Sequence, residues 1–108
     1  MYLGVKADTL NGQLDPLILA MVAEEPAHGY AILQRLKERS SGAFDLAEGT
    51  IYPALHRLER DGLLRSAWST DSGRRRRVYS LTRAGSSALE VRRREWRLFA
   101  HAIEAVMG

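Results

Sequence analysis

The 108-residue sequence contains no cysteine, which removes disulfides, thiolate metal ligands and thiol nucleophiles together. Lysine is scarce, at positions 6 and 37 only, against fourteen arginines. No long hydrophobic run is present either. The longest, Pro16 to Ala23 (PLILAMVA), is too short to cross a bilayer and lacks the charged start and cleavage site of a signal peptide. The basic residues are not gathered on one face of an apolar helix, so no membrane partner is expected, and a cytoplasmic protein is the default. His28, His56 and His101 lie in separate segments without the spacing of a zinc motif. With no glycine-rich phosphate loop and no nucleophile beside a base, the sequence predicts no catalytic residue, no metal site and no cofactor.

What is present is the composition of one ordinary globular domain, 45% hydrophobic and 27% charged. The net charge of +3 is unevenly placed, with a balance of −3 over residues 1–56 and +6 over residues 57–108. Codon bias would raise arginine over lysine but would not cluster it. Arginine's planar fork suits phosphates and guanine edges, so a basic half makes nucleic acid the first partner to consider.

The apolar spacing predicts helix, helix, helix, hairpin, long helix. Leu14, Leu17, Ile18, Met21 and Val22 form an amphipathic stripe, with Pro16 in the first turns where its missing N–H costs least. A second helix is expected from about His28 to Arg39, burying Ile32, Leu33 and Leu36, and a third from about Glu48 to Asp61, closed by Gly62. Residues 63–70 and 74–81 read as strands around a 71–73 turn. Thr82 is a suitable N-cap for a helix continuing to about Met107. The fold class expected is mainly α with a small β-hairpin, a winged helix-turn-helix. The expected division is a loose arm (1–12), a winged helix-turn-helix domain (13–82), expected to bind DNA for the reasons that follow, and a C-terminal helix (83–108) expected to dimerise.

On the third helix, Ile51, Leu55 and Leu58 share one side, while Gly49, Pro53, His56 and Arg60 share the other, with Arg57 near its edge. A helix that enters the major groove needs that order: small residues for close backbone approach, then side chains that reach bases or phosphates. A plain solvated face would look similar, so the hairpin matters as a second element. Its run of arginines from Arg74 to Arg77 cannot all point one way on an alternating strand. Arg74, Arg75 and Arg76, nearest the turn, are the expected phosphate contacts, while Arg77 lays its stem along the sheet. Pro53 poses a separate question. If Thr50 caps the helix, Pro53 falls in the first turn, but a start at Ala47 or Glu48 implies a distortion.

The blocks LDPLILAMVAEEPAHGYAILQRL (14–36), GTIYPALHRLERDGLL (49–64) and RRRVYSLTRAG (75–85) resemble the PadR family of bacterial winged-helix transcriptional regulators, in its short, single-C-terminal-helix form. The resemblance implies a homodimeric repressor on an inverted-repeat operator, often responsive to a small molecule. It places the DNA-reading helix at 48–61, wing-strand arginines at Arg75 and Arg76, and Tyr30 close to the DNA backbone. Thr50 and Tyr52 are expected to act at the helix start. Many members have a Gly- and Pro-rich wing tip; this sequence has Gly73 and an extra arginine there.

In the last helix Leu89, Trp96, Phe99, Ile103 and Val106 form a seam in which Arg92 takes the missing place. The expected use is a homodimer contact, which would set two recognition helices on one face of double-stranded DNA. The resemblance further suggests that Trp96, with Phe99, stacks on a planar aromatic or phenolic effector. The plainer alternative makes Trp96 an anchor of the dimer core. A winged-helix module that binds a protein or small molecule instead of an operator is the rival function, and it would be expected to expose apolar groups where this sequence has arginines.

Overall fold

The first helix owes its position to a stripe that is apolar on more than one side. In the computed structural model, which describes residues 12–71 and 73–108, α1 (Leu14–Glu24) buries Ile18, Leu19, Met21 and Val22. Leu14 and Leu17 of the predicted stripe are half-buried against the same core. The expected arm lies, apart from Gly12, outside the described residues.

A strand of two residues, β1 (Ala27–His28), leads directly into α2 (Gly29–Arg39), which buries Ile32, Leu33 and Leu36. Then come α3 (Glu48–Arg60), β2 (Leu64–Ser69), β3 (Arg76–Leu81) and α4 (Arg83–Met107). The three strands form one antiparallel sheet in the order β1-β3-β2. This is the winged-helix arrangement that the pattern predicts, with β1 added. Two residues are too few to show a period, so β1 was invisible in the sequence.

The α3 helix ends as expected. Gly62 adopts φ +78°, its N–H reaches the Glu59 carbonyl and the Leu63 N–H reaches that of Leu58, 2.9 Å away. Its start decides the Pro53 question. Ala47 is the N-cap residue, so Thr50 lies inside the helix and Pro53 beyond the first turn. The helix nevertheless continues through Pro53. Gly49 and Pro53 both lie on the exposed side, where water can reach the Gly49 carbonyl that Pro53 leaves without its helical donor.

The hairpin is looser than expected. Ser69 pairs with Arg76, so β3 starts at Arg76 and residues 70–75 form the connection, which places Arg74 and Arg75 off the ladder. Gly73, at φ +74°, donates to the Thr70 carbonyl and turns the chain.

Thr82 caps α4 by accepting the Gly85 N–H at 3.0 Å, and its hydroxyl donates to the Gly62 carbonyl. Leu89 was expected in the dimer seam. It is instead buried in the domain's own core, because the first turns of α4 lie across α1 and the sheet. Beyond it Trp96, Phe99, Ile103 and Val106 are exposed in the single chain.

Candidate nucleic-acid interface

Burial of Ile51, Ala54, Leu55 and Leu58 fixes which way α3 faces. Gly49, Thr50, Tyr52, Pro53, His56 and Arg60 are left on its exposed side. A concave groove of about 600 Å³ separates that side from the wing and the start of α2. Six of the predicted contact residues meet there: Tyr30, Tyr52, His56, Arg74, Arg75 and Arg76. Gly49, Thr50, Pro53 and Arg60 stand exposed on α3 outside the groove walls, and Arg60 lies 3.4 Å from the Asp61 carboxylate.

Arg57 is exposed at the edge of that side, outside the groove wall, and engages α1. Its guanidinium makes a two-pronged contact with the Asp15 carboxylate on α1, at 2.5 and 3.3 Å. That hydrogen-bonded partner raises its pKa further above the ordinary guanidinium value. Arg57 therefore fastens α3 to α1. The sequence pattern put it at the edge of the outward face, and the edge turned toward α1.

The wing is tied to α3 by a carboxylate. Ser66 donates to Glu59 at 2.6 Å, and Arg77 lies 3.5 Å from the same group. Arg77 also lies over the Trp68 ring, 5.3 Å from its centre, in keeping with the predicted structural role. By contrast Arg74, Arg75 and Arg76 form no ion pair with any carboxylate of the described residues. Among the described residues the cations nearest the wing tip thus have no carboxylate partner, and they face a concave surface that focuses their field.

His28 joins α2 to this surface. Its Nδ1 accepts the Ala31 N–H at 3.2 Å, capping α2, while Arg76 approaches Nε2 at 2.8 Å. A neutral imidazole has one unprotonated nitrogen, so it can accept from only one of these donors at a time. If it caps α2, its Nε2–H faces Arg76 and leaves that guanidinium without an acceptor. Partial burial, then Arg76 and Arg35, lower the His28 pKa. Burial chiefly raises that of Tyr79, whose ring fills the core beneath the sheet.

His28, Glu48, Trp68 and Arg77 also line the groove, though none stood among the predicted contact residues. Trp68 carried the clearest missed signal, an aromatic on a short polar strand opposite an arginine run. No metal-binding cluster occurs among the described residues.

The sequence model of the PadR-like transcriptional regulator family matches residues 18–91. The chain belongs to that family. The matched segment includes every residue lining the groove and stops within α4. Transcriptional regulator Rv3488 of Mycobacterium tuberculosis is 46% identical over 77 residues, covering 71% of this chain and 69% of its own. A protein of Lysinibacillus sphaericus is 30% identical over 95% of both chains. Among solved structures, a PadR family transcription regulator from Clostridium difficile has TM-score 0.80 at 35% identity, covering 88% of this chain and 98% of its own. A transcriptional regulator from Clostridium thermocellum has TM-score 0.86 at 26% identity, covering 96% and 99%. Membership makes this chain a transcriptional regulator of a family of DNA-binding proteins rather than enzymes. No helix among its described residues is long and apolar enough to cross a membrane.

Proposed function

We propose that this PadR-family chain is a homodimeric repressor that grips an inverted-repeat operator with α3 and the wing. The observation that carries the reading is the convergence of Arg74, Arg75 and Arg76, which have no carboxylate partner among the described residues, with His56 and Tyr52 of α3 on one groove. Gly49, Thr50 and Pro53 give the helix a low-profile approach to the base edges, and Tyr30 sits at the rim beside the His28 ring. His56 and Arg60 reach for bases or phosphates, and the wing arginines act on the backbone. Tyr30, Tyr52 and Trp68 expose aromatic surface in the groove, and what favours DNA over a protein partner is the cluster of arginines there with no carboxylate partner among the described residues, which suits a polyanion.

Dimerisation through α4 is supported by the exposed row of Trp96, Phe99, Ile103 and Val106. A patch of that kind on one helix suits a two-fold partner. A planar aromatic or phenolic effector finds support in an apolar cavity of about 450 Å³ beside Trp96, walled by Leu17, Ala20, Phe44 and Leu89. Phe99 lies against Trp96, with ring centres 5.7 Å apart, but outside the cavity wall. Release of DNA then requires an effector that binds the free and operator-bound dimers with different affinity.

The test selects duplexes from a random pool by binding, then follows anisotropy and sedimentation. A dimer bound to an enriched inverted repeat is the expected result. A monomer, or no enrichment, overturns the reading. Titration of a Trp68→Phe variant with phenolic compounds reads the Trp96 site, and no change across the panel removes the effector.

A further inference from the structure

Trp68 is an aromatic residue on β2 that is half-exposed and faces the cationic groove. Its ring is a working surface for arginine. The Arg75 guanidinium lies 4.3 Å from the ring centre, and that of Arg77 lies 5.3 Å away. The two arginines differ in how they are held. Arg77 stands directly opposite Trp68 on the ladder and reaches the Glu59 carboxylate of α3. Arg75 lies in the 70–75 connection, past the last paired residues, and forms no ion pair with a described carboxylate. A long side chain on such a segment has wide rotamer freedom, which binding must remove.

We infer that Trp68 is a positioning residue for DNA binding, holding Arg75 in the groove so that its charge meets the phosphate backbone at a fixed distance from α3. The distance is set through a chain of contacts. Glu59 anchors Arg77 and Ser66 to α3, Arg77 and the β2–β3 ladder fix the indole, and the indole carries Arg75. Cation–π attraction operates on the ring face and leaves the guanidinium N–H groups free to donate to phosphate oxygens. An ion pair could not do both, since a carboxylate would compete with the phosphate for the same donors. Trp68 thus orders Arg75 without neutralising it.

The inference rests on the DNA-binding groove proposed above, and a double-mutant cycle on a fluorescein-labelled random-sequence duplex separates the two. Wild type, Trp68→Leu, Arg75→Ala and the double variant are compared by anisotropy, with Trp68→Phe as a variant that keeps an aromatic face. Trp68→Leu is expected to weaken binding about two- to fivefold, the range of an exposed cation–π contact. It should have no further effect when Arg75 is already alanine, and Trp68→Phe should retain most of the affinity. Equal losses from Trp68→Leu with and without Arg75 would show that Trp68 acts independently of it and overturn the inference. So would an unchanged Trp68→Leu, or a Trp68→Phe as weak as the leucine. If Trp68→Leu unfolds, Trp68→Thr, a strand-favouring residue without an aromatic face, takes its place in the cycle with the same expected and overturning outcomes. Failure of the wild type to bind any duplex removes the groove proposal and this inference with it.

Discussion

A methyl group added to Gly29 would lie 2.8 Å from the ring and hydroxyl of Tyr52, so the first residue of α2 and the α3 helix are in contact through a glycine. Tyr52 is partly exposed, and its ring can move. Gly29→Ala should therefore cost about 1 kcal/mol or less in urea unfolding, yet weaken DNA binding by turning Tyr52 in the groove. Gly85 makes the opposite case. Its added methyl would meet the Leu63 carbonyl oxygen at 2.1 Å, and backbone cannot step aside. Gly85→Ala should cost about 3 kcal/mol. Equal costs for the two would contradict this distinction.

The Arg57–Asp15 contact predicts that Arg57 behaves as a fastener. Because both side chains are partly exposed, the pair should contribute only about 0.5 kcal/mol. Asp15→Asn and Arg57→Ala should lower stability by similar small amounts and should not add. Arg57→Ala should leave the salt dependence of DNA binding unchanged, whereas a phosphate-contacting arginine would reduce it.

His28 gives the stability a pH dependence of known sign. Its pKa is lowered in the folded protein by burial, Arg76 and Arg35, so on acidification the unfolded chain binds this proton first. The contribution is whole above the ordinary value of 6.5 and is lost as pH falls from there through the lowered folded value. Protonation also removes the acceptor that caps α2. His28→Asn, which can still cap, should flatten the thermal-stability profile below about pH 6.5 relative to wild type. An unchanged profile would show that His28 does not supply it.

Dimerisation can be checked on α4 without touching the core. Ile103→Glu, on the exposed row, should give a monomer by sedimentation with an intact circular dichroism spectrum, and operator binding should fall with it. Leu89→Ala should instead lower stability by about 2–5 kcal/mol, because Leu89 belongs to the domain core.

Helix stripes and caps were legible because they repeat over many residues: Ile51, Leu55 and Leu58 oriented α3, and Gly62 and Thr82 marked its end and the start of α4. What escaped was set by tertiary contact. Only pairing with Tyr79 and Val78 reveals the two-residue strand Ala27–His28. Leu89 fits a seam by spacing alone, and only the crossing of α4 over α1 turns it inward. The ladder register, which ends at Ser69 and Arg76, took Arg74 and Arg75 off the strand. Arg57 went to Asp15, 42 positions away, a pairing that no local pattern encodes.

Whether the wing arginines hold the DNA backbone is read from the slope of log Kd against log salt concentration for duplex binding. Arg75→Ala and Arg76→Ala should each lower the slope by about one and weaken operator and unrelated duplexes by similar factors. Slopes equal to wild type, or losses confined to the operator, would contradict a hold on the backbone.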